Sequence, residues 1–181
     1  YQAGGGANGI DTLSDNTFMG YQAGLKIDSG ARNTAIGSQA MESSAADSDA
    51  NDSVAIGYRS LYTLSDGDFN TAIGSYSGYL LSTGAENTSL GYASLYHNVT
   101  GNYNTAIGRG AGARFLNDDS TALGYYAGHY ASGSDNTFVG SEAGKGGNTS
   151  APFSSGQYNT AIGYLALTAF TTGGTNVAVG V

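Results

Sequence analysis

One five-residue phrase, Asn-Thr-Ala-Ile-Gly or a close variant, recurs ten times along the 181 residues and ends at Gly20, Gly37, Gly57, Gly74, Gly91, Gly108, Gly124, Gly140, Gly163 and Gly180. The closing glycines are 17, 20, 17, 17, 17, 16, 16, 23 and 17 residues apart. A fixed period with whole insertions between otherwise intact phrases marks a stacked-repeat architecture, because each phrase is one structural unit and the variable stretch is a loop. The long insertions are 41–52 and 145–158. The expected fold is all-β: a parallel β-solenoid, or β-roll, of about ten coils, with residues 1–181 forming one uninterrupted array.

Each phrase carries a β-branched Thr or Val, then Ala, Ser or Phe, then an aliphatic residue, which suits a short strand. A second element, Ala or Ser three residues past the glycine (Ala23, Ala40, Ser60 and so on), predicts a second short strand per coil. Side chains alternate along a strand. Hydrophobicity assigns the larger aliphatic side chains to the interior: Met19, Ile36, Ile56, Ile73, Leu90, Ile107, Leu123, Val139, Ile162 and Val179. Ala35, Ala55, Ala72, Ala106, Ala122, Ala161 and Ala178 then point outward and read as an inter-chain face. The glycine supplies a corner. The Asn that opens eight of the ten phrases supplies another, with side chains able to bond the backbone and one another along the axis.

One coil orders some seventeen residues around very few apolar side chains, so it cannot fold alone. Stacking merges the small cores into one column. An apolar stripe left on the outside needs a partner, and identical solenoids meeting around an axis, three in number, are the expected solution. The array starts and stops in the same phase of the repeat, Tyr1 and Val181, which reads as a segment of a longer fibre or a protomer that joins end to end.

Thirty glycines, no cysteine and a net charge of −8 shape what such a rod can touch. The charge offers no footprint for nucleic acid or an anionic membrane, and no apolar run is long enough to span a bilayer. Gly108, Gly110 and Gly112, and Lys145 in Ala-Gly-Lys-Gly-Gly, lack the spacing and context of phosphate loops. His97 and His129 lack zinc-ligand spacing and read as surface residues. No triad or paired-carboxylate arrangement supports catalysis, so the chain is expected not to be an enzyme and to need no cofactor. Calcium at the turn carboxylates Asp66 and Asp68, or Asp118 and Asp119, is the alternative. Tyr21, Tyr58, Tyr92, Tyr125 and Tyr164 follow the corner glycine and could stack or hold sugar rings. Asn51, Asn98 and Asn148 lie in loop sequons and are possible glycosylation sites, whereas Asn87 belongs to a phrase and reads as shielded. A Thr ladder (Thr17, Thr34, Thr71, Thr88, Thr105) suggests ice binding, but by parity it shares the face assigned to the interior.

The phrase Asn-Ser/Thr-Val-Ala-Ile-Gly followed by Ala or Ser, closest in Asp52 to Ser60 (DSVAIGYRS), resembles the YadA-like head repeat of trimeric autotransporter adhesins. The commoner form, Asn-Thr-Ala-Ile-Gly followed by Tyr-x-Ala-Gly, is similar to repeats in phage tail fibres and other surface fibres. The resemblance implies a left-handed parallel β-roll, three of which pack as a surface-exposed head. The function expected is a structural component of an extracellular, cell-surface or virion fibre. The alternative is an adhesin head or receptor-binding fibre that recognises surface glycans through loops and Tyr.

Overall fold

Three residues of each phrase are extended and no more, because the glycine that follows leaves the strand region and turns the chain. A computed structural model describes residues 15–43, 48–147 and 153–181. In it the ten phrases form β1 (Thr17–Met19), β2 (Thr34–Ile36), β3 (Val54–Ile56), β4 (Thr71–Ile73), β5 (Thr88–Leu90), β6 (Thr105–Ile107), β7 (Thr121–Leu123), β8 (Thr137–Val139), β9 (Thr160–Ile162) and β10 (Val177–Val179). These make one ten-stranded parallel sheet in chain order. Equivalent residues sit opposite one another, so Ala55, Ala72 and Ser89 form consecutive rungs. The chain is a β-solenoid of about nine turns with a period near 17 residues.

Among the described residues the predicted second strand does not form. Residues two and four past the corner glycine take left-handed backbone, as at Tyr76 (φ 58°) and Gly78 (φ 59°). Short bonds from Ser77 N to Gly74 O (3.2 Å) and Leu81 N to Gly78 O (3.0 Å) close two successive turns there. The turns still stack. Tyr76 N donates to Tyr58 O in the preceding coil at 2.9 Å, and Gly78 N to Ser94 O in the following one at 2.9 Å. Backbone groups on the non-strand sides are therefore satisfied along the axis, as a buried main chain requires.

The face assignment of the strands is reversed. Ala35, Ala55, Ala72, Ala106, Ala122 and Ala161 are fully buried, and they belong to the interior rather than to an inter-chain face. Ala178, in the last strand, is half-buried and packs on the same core. The residues expected inside point outward: Met19, Leu90, Leu123, Ile162 and Val179 are exposed, and Ile36, Ile56, Ile73, Ile107 and Val139 are only partly covered. A coil of this size is too narrow for two large side chains from every strand. Its bulk comes instead from a column seven residues past the corner glycine, Ile27, Leu64, Leu81, Phe115 and Phe170, all buried.

Where the strand's central residue is large, the opposite side of the same coil gives way. Phe138 lies fully buried, and a Cβ on Gly144, four residues past the corner, would sit 2.1 Å from its ring. In the coil of Ala55 that position holds buried Leu61 instead. Phe18 and Gly24 repeat the exchange, with a hypothetical Cβ 2.6 Å from the ring. In these two coils the glycine makes room for the ring, as close packing demands.

Candidate functional site

Two lateral surfaces of the rod carry features beyond what stacking needs. The first is the outward face of the sheet. Its first and third strand positions are occupied only by Thr, Val, Ile, Leu and Met, for example Thr71 and Ile73, with no charge over ten strands. Met19 (63 %) and Leu90 (44 %) show how much apolar surface the single chain leaves in water. The Thr ladder lies on this face too, so the parity argument against an exposed Thr array does not hold.

The second surface is aromatic, and it runs along the turn side. Tyr62, Tyr79 and Tyr96 each lie five residues past a corner glycine and stack at centroid separations of 5.2 and 4.9 Å. Tyr76 packs beside them, 5.4 Å from Tyr79 and 6.2 Å from Tyr96. The tyrosines singled out from sequence, Tyr21, Tyr58, Tyr92, Tyr125 and Tyr164, are exposed and do not form the stack. The stacking column is legible in the sequence as Tyr at 62, 79 and 96, one period apart. Arg59 sits 5.2 and 5.1 Å over the rings of Tyr58 and Tyr62 and donates to Gln39 Oε1 at 2.9 Å.

The column is interrupted. Beyond Tyr96 its next occupant is Ala113, followed by His129 and Lys145. A cleft of about 110 Å³ opens there, lined by Tyr92, Tyr96, His97, Arg109, Arg114, Tyr126 and His129 over a floor of Ala93, Gly110 and Ala113. His97 and His129 are half-buried in this cleft rather than free on the surface. His129 Nδ1 donates to Gly110 O at 2.7 Å. Burial, followed by the nearby positive charge of Arg114 and by His129, holds the His97 imidazole below its ordinary pKa. Burial also lowers His129; the Gly110 bond opposes this, and Arg114 and Lys145 add to it. Arg109 lies 5.4 Å over Tyr92 and Arg114 4.1 Å over Phe153.

The turn carboxylates do other work. Asp68 Oδ1 accepts the Asn51 backbone N–H at 2.8 Å, and Asp118 Oδ1 accepts that of Asn102 at 2.7 Å, so both tie neighbouring coils together. Among the described residues no group of three or more His, Cys, Asp or Glu is placed to hold a metal ion. Asn98 is corrected as a glycosylation candidate: it is fully buried, with Oδ1 accepting from Gly101 N at 2.7 Å. Asn87 is buried, as expected of a phrase residue. Asn51 remains partly accessible, although its Nδ2 donates to Asp49 O at 2.5 Å. Asn148 lies outside the described residues, as do the loop segments 44–47 and 148–152. No protein-family model, curated protein or solved structure matches the chain.

Proposed function

We propose that this chain is a structural rod of an extracellular fibre, that copies of it associate laterally through the Thr and aliphatic face of the sheet, and that it has no catalytic role. The carrying observation is the face itself: ten in-register strands whose outward positions are uncharged and largely apolar. A contiguous stripe of that kind on a soluble rod is costly in water unless covered. The cheapest cover is an identical surface, because the rungs repeat at the same spacing on every copy and the acidic residues lie elsewhere on the coil. Three copies around an axis close the stripe without leaving a free edge, in keeping with the resemblance to trimeric head repeats. Sedimentation velocity tests this reading: the parent is expected as a compact oligomer, and Ile73→Arg with Ile107→Arg as a folded monomer. A parent that sediments as a monomer would overturn it, and ice shaping by such a monomer would assign the Thr array to ice instead.

A second reading is favoured by the aromatic surface, which stacking does not require. In it the rod is also a receptor-binding head or tail-fibre module, and exposed tyrosine rings present sugar platforms beside the loops.

A further inference from the structure

The cleft beside His97 lies where two columns carry Ala93, Gly110 and Ala113 in place of larger side chains. Five residues past the corner glycine the rod carries Tyr62, Tyr79, Tyr96, then Ala113, then His129 and Lys145. Two residues past it the sequence is Arg59, Tyr76, then Ala93 and Gly110, then Tyr126 and Glu142. Both columns lose their side chains in adjacent coils, and the gaps coincide. Gly110 has a second role: its φ is +63°, and a Cβ there would lie 2.4 Å from the Tyr126 ring and 3.1 Å from His129 Nδ1. Tyr126 and His129, 4.4 Å apart, therefore lean over Gly110 and form one wall, while Tyr92 and Tyr96 form the other.

The charge of this notch is opposite to that of the chain. The molecule carries −8, yet the lining holds two arginines, two histidines and no carboxylate. The ion pairs among the described residues are Arg32 with Asp52 and Lys145 with Glu142, so neither Arg109 nor Arg114 has a carboxylate partner there. Guanidinium groups resting on aromatic rings keep their N–H donors free at the edges, and a planar carboxylate matches that fork.

We propose that this notch binds the carboxylate-bearing ring of an acidic saccharide, with Arg109 and Arg114 taking the carboxylate and Tyr96 and Tyr126 flanking the sugar's apolar face. The volume, about 110 Å³, is room for several waters or one small ring. His97, in the cleft lining, offers a ring nitrogen to a sugar hydroxyl. A phosphate ion would meet the same arginines but would leave both aromatic walls unused, which is why a ring-bearing acid is favoured. The site extends the second reading of function and is independent of the sheet face.

The test uses the intact chain with methyl glucuronide, methyl glucoside and inorganic phosphate as probes, followed by isothermal titration and ligand-observed NMR. Methyl glucuronide is expected to bind with a Kd of about 1 mM, as befits a single ring in an open cleft. The glucoside and phosphate should bind about tenfold more weakly or worse, and Arg109→Gln or Arg114→Gln should each cost about tenfold. Ala113→Tyr refills the notch with the residue its column carries at 62, 79 and 96, so it should fold and abolish binding. If it does not fold, the two arginine variants decide. Equal affinity for phosphate, glucuronide binding unaffected by these variants, or no binding of glucuronide would each overturn the proposal. Retention of glucuronide binding by a folded Ala113→Tyr would reject this site and leave the broader glycan reading standing.

Discussion

The side-chain oxygen of Asn87 accepts the backbone N–H of Asn104, one coil further on, at 3.0 Å, while its Nδ2 donates to Gly101 O at 2.9 Å. The same bond runs through the array: Asn33 to Ser53 N (3.0 Å), Asn70 to Asn87 N (3.0 Å), Asn104 to Ser120 N (3.0 Å), Asn136 to Asn159 N (2.9 Å) and Asn159 to Asn176 N (3.0 Å). Ser53 and Ser120 continue it with Oγ, accepting from Asn70 N and Asn136 N at 3.0 and 3.2 Å. A buried amide with every group satisfied specifies one register, because a slip by one residue would strand several polar groups at once.

Asn87→Ala leaves the Asn104 N–H without its Asn87 acceptor and removes the side-chain donor to Gly101 O in a dry interior, at a cost of about 2–4 kcal/mol. Asn87→Ser keeps the acceptor, as Ser53 does, and is expected to cost less than half as much. Urea melts of both variants check the order; equal destabilisation would mean that the acceptor is not what matters.

The strand faces separate two kinds of damage. Ala72→Arg and Ala106→Arg push a charged chain into the filled column and should unfold the neighbouring coils, costing several kcal/mol. Ile73→Asp and Ile107→Asp lie on the outside and should leave β-type circular dichroism intact. Loss of that signal in the Ile variants alone would return the aliphatic residues to the interior.

Much of this was legible in sequence. Period, corner glycine and the axial Asn bonds all follow from residue types at fixed spacing, and Gly74 shows why: at φ +132° any Cβ would meet Gly91 O at 2.7 Å. Parity was not, because in a three-residue strand hydrophobicity alone favours an aliphatic side chain with a Thr or Val over one Ala. The clue was in the Asn. Asn70, immediately before β4, and Ala72, within it, are two residues apart and both buried, so an Asn that bonds along the interior carries its Ala inward with it. The cleft escaped notice because it is made of absences: Ala93, Gly110 and Ala113 are unremarkable until their columns are aligned.

The overlap of a Gly144 Cβ with the Phe138 ring predicts coupling between these two positions. Phe138→Ala should cost about 3–5 kcal/mol through the cavity it leaves. Gly144→Leu alone should be worse tolerated still, since its side chain would overlap the Phe138 ring. Together they recreate the pairing of Ala55 with Leu61, whose φ of 48° shows that Leu accepts this backbone. The double variant is expected to be more stable than either single one, and additive losses in thermal melts would refute the exchange.

The two histidines set a pH dependence outside the carboxylate range. Both have folded-state pKa values below the ordinary imidazole value, first through burial and then through the charges they face, Arg114 and His129 for His97, and Arg114 and Lys145 for His129, where the Gly110 bond opposes the shift. The unfolded chain therefore binds protons more readily than the folded one as pH falls through the unfolded value of about 6.5. Stability is fully present above that value, declines as pH falls towards the folded pKa values, and levels off below them. Melting between pH 7.5 and 5 should show Tm falling on acidification in the parent, and falling less in His97→Gln with His129→Gln. Bound glucuronide places a carboxylate beside both rings and should raise both pKa values, seen as an upward shift of their NMR titrations; unchanged titrations on saturation would place the ligand elsewhere on the rod.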